Sequence, residues 1–199
     1  MAAPIRLLVG LGNPGETYQL TRHNIGANWL RALALRFGIQ LKHDRAKRAE
    51  IGRGLLLSHD VRLLIPTTYM NQSGEAIGPF LRYFRIDPDE TLLAYDDVAF
   101  EVGQTRLKFG GGAGGHNGLR SLIKHIGDNR DFGRLRIGVG HPGSSKDLVG
   151  FLTRVKMPEP DRIRALESSY LDDELLRWLF TGDWQKAMTK LNSVPSDDA

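Results

Sequence analysis

The feature that most constrains the fold is an alternation of short apolar runs with segments of helical periodicity. The apolar runs have the length of strands and cover residues 5–9, 51–57, 61–65, 92–95, 105–109 and 135–139. The segments with apolar residues at every third or fourth position cover residues 25–37, 71–84 and 117–126. This alternation predicts an α/β domain with helices on both faces of a central sheet.

Two details refine that prediction. The strands on either side of residue 58 are so close in sequence that they are expected to pair antiparallel, which makes the sheet a mixed one. Residues 148–191 are mostly helical, and Pro158 and Pro160 are expected to start a long helix. Its apolar positions are Ile163, Leu166, Tyr170, Leu175 and Leu179.

Length and composition bound the class of protein. With 199 residues the chain is expected to form one domain, over residues 1–192, followed by a flexible polar tail at 193–199. We identify no signal peptide and no apolar run of about eighteen residues, so the chain is expected in the cytoplasm and not in a membrane. The absence of cysteine excludes disulfides, thiolate metal sites and cysteine nucleophiles.

The charge is unevenly distributed. A net charge of +4 and a pI near 9.5 favour a polyanionic partner. The excess is concentrated between residues 106 and 146, where only Asp128 and Asp131 oppose the basic side chains Arg106, Lys108, Arg120, Lys124, Arg130, Arg134, Arg136 and Lys146. This segment is either a solvated face or a surface for nucleic acid.

The glycines after the first strand resemble a nucleotide-binding loop. Gly10, Gly12 and Gly15 satisfy G-x-G-x-x-G. However, Pro14 makes the segment a turn rather than the opening of a helix, and residues 24–43 contain no acidic side chain for a ribose. The motif therefore does not indicate a dinucleotide site, and the sequence predicts no cofactor.

Polar side chains follow the predicted strands and suggest a hydrolytic site. They are Asn13 and His23 after the first strand, Met70 and Asn71 after the strand at 61–65, Asp96 after the strand at 92–95, and His116 and Asn117 after the run GGGAGG. An imidazole, a carboxylate and several carboxamides suit the attack of a water molecule on a neutral carbonyl. His23 ends a loop, so its ring is not required to pack in the core. No G-x-S-x-G or H-E-x-x-H motif is present, so neither a serine nucleophile nor a metal is expected.

Each of these residues also has a purely structural interpretation. Asn13 is suited to capping a turn, and Asn71 and Asn117 are suited to capping the helices that follow them. The pair Asp96 and Asp97 is compatible with an ordinary turn at the end of a strand. The residues alone leave these alternatives open.

Four blocks of sequence resemble the bacterial peptidyl-tRNA hydrolase family, in that family's order. The blocks are GLGNPGETYQLTRHNIG, PTTYMNQSG, KFGGGAGGHNGLRSLIKHIG and RLRIGVGHPG. The resemblance spans residues 7–143 and extends to the helical end of the chain. It implies a single α/β globule with a mixed sheet and an enzyme that cleaves the ester joining a peptide to the ribose of tRNA. It also implies a monomer.

The family's functional residues carry over motif by motif. The resemblance assigns His23 as the general base that activates water and Asp96 as the aspartate that orients it. It assigns substrate binding to Asn13, Tyr18, Met70, Asn71, His116 and Asn117. It assigns Lys108 and Arg136 to a clamp on the tRNA 5′-phosphate, and we expect Arg120, Lys124 and Arg134 to line the approach of the acceptor stem and 3′ end.

Two other functions compete with this one. The first is a non-catalytic RNA-binding protein with an idle cleft, which gives no reason for all the site residues to be present together. The second is an esterase or amidase for a small substrate, which leaves the basic segment unexplained.

Overall fold

The computed structural model describes residues 3–143 and 147–193. Its centre is a mixed sheet of seven strands in the order β2-β3-β4-β1-β5-β7-β6. The strands are β1 (Leu7–Gly10), β2 (Lys42–Asp44), β3 (Ala49–Leu56), β4 (His59–Pro66), β5 (Thr91–Asp97), β6 (Thr105–Phe109) and β7 (Gly133–Gly138). The pairs β1–β4, β1–β5 and β5–β7 are parallel, and the pairs β2–β3, β3–β4 and β6–β7 are antiparallel. The predicted fold class and the antiparallel pair around residue 58 are confirmed.

Helices cover both faces of the sheet. They are α1 (Ile25–Arg36), α2 (Ser73–Phe84), α3 (Asn117–His125), α4 (Leu148–Thr153), α5 (Glu159–Ser168), α6 (Asp173–Thr181) and α7 (Trp184–Asn192). None of the described helices is long and apolar enough to cross a membrane.

The core lies in two layers, one on each side of the sheet, because successive residues of a strand point to opposite faces. Leu8 of β1 packs with Trp29 of α1 and Leu176 of α6. Its neighbour Val9 packs on the other face with Ile77 of α2 and Leu122 of α3. The all-apolar run of β1 is therefore explained by a central strand that is buried on both sides.

The start of α1 is placed by close backbone contacts at two glycines. A Cβ atom at Gly26 would lie 2.2 Å from the carbonyl oxygen of Ala94 in β5, and one at Gly10 would lie 2.5 Å from the carbonyl oxygen of Gly26. No residue with a side chain fits at such distances. The close contact positions the loop before α1 against the carboxyl end of β5.

One prediction of secondary structure is wrong, and one strand was missed. The long helix expected from Pro158 is two helices, α5 and α6, because the side chain of Asp172 accepts a hydrogen bond from the backbone N–H of Leu175 at 2.8 Å and starts a new helix there. Tyr170 consequently lies exposed between them. Strand β2 was not predicted, since it is short, polar and at the edge of the sheet.

Candidate active site

The carboxyl ends of β1, β4 and β5 meet at one edge of the sheet, because these three strands are adjacent and parallel. His23 lies in a single turn of 3-10 helix, Arg22–Asn24, which joins the loop after β1 to α1. Asp96 is near the end of β5, and His116 follows the glycine run after β6. The sequence-predicted imidazole and carboxylate are thus brought together.

His23 and Asp96 form a buried hydrogen-bonded pair. Nδ1 of His23 lies 2.8 Å from Oδ1 of Asp96, and their side chains are 9% and 1% exposed. Since an ionised carboxylate only accepts, Nδ1 carries the hydrogen. Nε2 of His23 then holds a lone pair, and no group among the described residues bonds to it. The His23 ring is more buried than its loop position suggests, because Asp96 provides a hydrogen-bond partner for its Nδ1.

His116 makes a second bond to the same carboxylate oxygen. Its Nε2 lies 3.1 Å from Oδ1 of Asp96, and its Nδ1 accepts from the backbone N–H groups of Gly118 and Leu119 at the start of α3. These two acceptor contacts place the hydrogen of the neutral ring on Nε2. Asp96 therefore receives two imidazole N–H groups on one oxygen.

The charges in this cluster determine its protonation. Complete burial favours the neutral acid of Asp96, but the charges and hydrogen bonds of His23 and His116 outweigh burial and hold the pKa of Asp96 well below its usual 3.8. For His23, burial acts to lower the pKa, yet the negative charge of Asp96 and its hydrogen bond raise the pKa above the usual 6.5. The carboxylate is consequently charged at neutral pH, and His23 holds its proton to a higher pH than a free imidazole does.

His23, Asp96 and His116 also form a set of potential metal ligands, since their ligand atoms lie within 4.8 Å of one another. The nitrogen atoms that face Asp96 are those that carry hydrogens in the bonds just described. A metal ion would have to replace both hydrogens, so the geometry corresponds to a hydrogen-bonded triad.

Asn13 is held in place by bonds to two neighbouring segments. Its Oδ1 accepts from the backbone N–H of Met70 at 2.8 Å. The side chain of Asn24 contacts the backbone N–H and the carbonyl of Asn13, both at 2.9 Å. Nδ2 of Asn13 has no acceptor within residues 3–143 and 147–193. Sequence reasoning missed the role of Asn24, although its place beside His23 in the motif TRHN was the available signal.

The capping interpretations of Asn71 and Asn117 do not hold. The N-cap of α3 is His116, and the N-cap of α2 is Gln72, which makes no side-chain cap bond. Asn71 and Asn117 are both exposed, and the Oδ1 of Asn117 accepts from Arg120 at 3.1 Å. Helix capping therefore does not account for either carboxamide.

Met70 and Tyr18 lie on the Asn13 side of the site. Met70 is 4% exposed, and its sulfur lies against Gly118. A Cβ atom at residue 118 would lie 2.7 Å from that sulfur. Tyr18 is half-buried and packs edge to face against Tyr69, with ring centroids 6.4 Å apart.

A cavity of about 620 Å³, which we name the cleft, opens beside the triad. Its lining includes His23, Asp96, His116 and Asn117 and excludes Asn13, Tyr18, Met70 and Asn71. One wall is apolar and consists of Val98, Leu148, Val149 and Leu152. The other side carries Lys108, Arg134 and Arg136, so the cleft combines an apolar wall with a cationic one.

The three cationic side chains in the cleft differ in their contacts. Arg134 is buried and donates to the carbonyl oxygens of Gly111 and Gly112, so its guanidinium supports the glycine run. Nε of Arg136 lies 2.8 Å from a carboxylate oxygen of Asp97. Lys108 is exposed and has no carboxylate partner among the described residues.

Four other basic residues that the sequence singled out are not among the residues that line the cleft: Arg106, Arg120, Lys124 and Arg130. Arg120 and Lys124 are exposed on α3. Lys146 and most of the predicted tail, 194–199, lie outside the described residues.

Comparison with known proteins identifies close relatives. The family model described as peptidyl-tRNA hydrolase matches residues 7–198. A peptidyl-tRNA hydrolase of Alkalilimnicola ehrlichii is 44% identical over 191 residues, covering 96% of each chain. One of Acinetobacter baylyi is 46% identical over 189 residues, covering 95% of this chain and 96% of that protein. The crystal structure of peptidyl-tRNA hydrolase from Acinetobacter baumannii at 1.00 Å resolution has a TM-score of 0.90, with 41% identity and 97% of both chains covered.

Proposed function

The chain belongs to the peptidyl-tRNA hydrolase family, and on that premise we propose that it hydrolyses the ester between a peptide, or an N-acylated amino acid, and the ribose of tRNA. The observation that carries the proposal is the buried pair of His23 and Asp96, which leaves Nε2 of His23 as a base at the edge of the cleft. We also propose that it acts as a monomer, because His23, Asp96 and His116 of a single chain already complete the hydrogen-bonded triad.

The reaction follows from the hydrogen positions. Neutral His23 takes a proton from water at Nε2 while the water oxygen attacks the ester carbonyl. The imidazolium that forms is stabilised by Asp96, which is already charged and needs no reorganisation. When the tetrahedral intermediate collapses, the ribose oxygen leaves and takes the proton back from Nε2. The products are a peptide carboxylic acid and free tRNA.

The carboxamides are suited to the oxygen atoms of this reaction. Nδ2 of Asn13 has no acceptor among the described residues, and the side chain of Asn117 lines the cleft. We assign Asn13, Asn71 and Asn117 to positioning the water and donating to the developing oxyanion. Met70 and Tyr18 support the same side of the substrate.

The two walls of the cleft suit the two parts of the substrate. The apolar wall formed by Val98 and α4 suits peptide side chains. Lys108 and Arg136 suit a terminal phosphate of the acceptor stem, with Arg120 and Lys124 further along its path. We do not assign Arg134 to the RNA, because its guanidinium is already bonded to the glycine run.

The proposal is tested by incubating the purified protein with N-acetylated aminoacyl-tRNA and measuring release of free tRNA. We expect cleavage of this substrate, affinity for tRNA that falls steeply with salt, and slow cleavage of a small ester that lacks RNA. Binding of tRNA without cleavage would favour the non-catalytic RNA-binding protein. Equal cleavage of the small ester would favour a small-substrate esterase.

His116 is a positioning residue in this mechanism. It caps α3 and it donates a hydrogen bond to Asp96, and substitutions can separate these two roles. We expect His116→Ala to lower the free energy of unfolding by about 1 kcal/mol, because α3 loses its N-cap. We expect it to lower kcat by roughly three- to tenfold, because Asp96 loses one hydrogen bond. The acid limb of the pH–rate profile should move to higher pH, since Asp96 then holds the proton of His23 more strongly.

The matched variant is His116→Asn. Asparagine caps helices well but is too short to reach Asp96, so stability should return while kcat and the pH profile stay altered. Stability is measured by urea denaturation and activity by the pH–rate profile. Recovery of both in the asparagine variant would mean that His116 acts only as a cap.

A further inference from the structure

A second cavity, of about 490 Å³, lies at the same edge of the sheet as the cleft. The cleft is lined from β5, β6 and β7, whereas the second cavity is lined from β2, β3 and the end of β4. It is rich in guanidinium groups, supplied by Arg31, Arg45 and Arg48. We name it the arginine cavity.

The charges of the arginine cavity are arranged for an anion. The three guanidinium groups and His43 face a single lining carboxylate, Glu50. Glu50 binds Arg31 at 3.0 Å, and Arg48 is bound by Glu75 of α2. These two ion pairs hold two of the guanidinium groups in place. Arg45 is exposed and makes no ion pair or side-chain hydrogen bond within the described residues, so its five donors remain available.

The arginine cavity adjoins the segment that carries Asn13. Its lining includes Pro14, Gly15 and Asn24. Asn24 is the side chain that bonds the backbone of Asn13 from both directions at 2.9 Å. Gly15 has φ +97°, and a Cβ there would meet nothing within 4 Å, so its backbone is open to a ligand. A ligand bound in this cavity would contact the loop that positions a proposed catalytic carboxamide.

We propose that the arginine cavity binds a phosphodiester group of the substrate's RNA, an inference that rests on the proposed function. A hydrolase that acts on many peptidyl-tRNAs encounters acyl groups that differ from one substrate to the next. The negative charge of the RNA backbone, by contrast, is present in every substrate. The planar guanidinium group of arginine can donate two parallel hydrogen bonds to the oxygen atoms of a phosphate. The acyl group has an apolar wall in the cleft, whereas the arginine cavity offers guanidinium groups.

The position of the cavity is consistent with one RNA molecule contacting both sites. Strands β3 and β7 are four places apart in the sheet order. At a strand spacing of about 4.8 Å they are separated by roughly 19 Å. An RNA that touches both the arginine cavity and Arg136 on β7 would therefore lie over the ends of β1 and β5, so that its 3′-terminal ribose reaches His23 between the two phosphate contacts.

The test compares Arg45→Gln with Lys42→Gln, which removes the same charge from exposed β2 outside the cavity lining. The probe is deacylated tRNA, with binding measured from low to physiological salt. We expect Arg45→Gln to raise Kd by about 3- to 10-fold at low salt and to lower the slope of log Kd against log salt by about 0.7 to 0.9. Lys42→Gln should change the slope much less. Equal slopes in the two variants would overturn the proposal.

A second measurement separates RNA from an acidic peptide as the occupant. The same acyl amino acid is presented as the ester of tRNA and as the ester of adenosine, which has no phosphate. We expect Arg45→Gln to lower the ratio of kcat/KM for the tRNA ester over the adenosine ester, mainly through KM. An effect confined to adenosine esters with acidic acyl groups would assign the cavity to the peptide and contradict the proposal. If the wild-type protein cleaves neither ester, the proposed function fails, while the tRNA-binding comparison still tests the cavity.

Discussion

We expect His23→Ala to lower kcat for peptidyl-tRNA hydrolysis by about 10²- to 10⁴-fold, the usual contribution of a general base. The ring supplies the proposed base, Nε2, and no other imidazole can replace it, because Nε2 of His116 is bound to Asp96. The measurement is single-turnover cleavage of N-acetylated aminoacyl-tRNA. Binding of deacylated tRNA should stay within about twofold of wild type, because the substitution leaves every lysine and arginine of the cleft in place.

The matched control is His141→Ala. His141 is exposed, and within the described part of the chain its Nδ1 accepts only from the backbone N–H of Gly143, so kcat should be unchanged. The circular dichroism spectra of both variants should match that of the wild type. A His23→Ala enzyme that keeps more than a tenth of wild-type kcat would remove His23 from the role of base.

The second large effect is expected from Asp96→Asn, with a loss in kcat of about 10²- to 10⁴-fold. A neutral amide cannot stabilise the imidazolium and does not enforce the hydrogen on Nδ1 of His23. The pKa of His23 should also fall, because burial then lowers it with no carboxylate to oppose the effect. The acid limb of the pH–rate profile should therefore lie above pH 6.5 in the wild type and below that in the variant.

The same pair makes a pH-dependent contribution to stability. The pKa of Asp96 is lowered in the fold, so its contribution is present above about pH 4 and is lost as the pH falls through the folded value. The pKa of His23 is raised, so its contribution is complete below about pH 6.5 and is lost as the pH rises through the folded value. Asp96→Asn should therefore destabilise the protein most between about pH 4 and 6.5. A destabilisation independent of pH, with an unchanged pH–rate profile, would contradict the pairing of His23 and Asp96.

Much of the site could be predicted from the sequence because its residues follow strands. Periodicity located β1, β4 and β5, and parallel strands place their carboxyl ends at one edge. That argument covers Asn13, Met70 and Asp96. It does not reach His116, because the glycine run before it takes left-handed turns at Gly110, Gly111, Gly114 and Gly115, and no periodic pattern encodes such a path.

The functions of individual arginines could not be predicted for a different reason. Arg134 and Arg136 are two residues apart on β7, a spacing that places them on one face of the sheet. Only the three-dimensional arrangement shows that Arg134 donates to the carbonyls of Gly111 and Gly112. It also shows that Arg136 pairs with Asp97. The arginine cavity was missed because its charges, which all lie between residues 31 and 50, come from α1, β2, β3 and the connecting turn and individually resemble a solvated surface.

The backbone contact between Gly26 and Ala94 also bears on how the enzyme becomes active. His23 lies three residues before that contact and Asp96 two residues after it, so the pair forms only when α1 docks on β5. These segments are about seventy positions apart in the chain. During refolding from urea, the return of hydrolysis should therefore follow the kinetics of that docking and lag behind the recovery of helical signal.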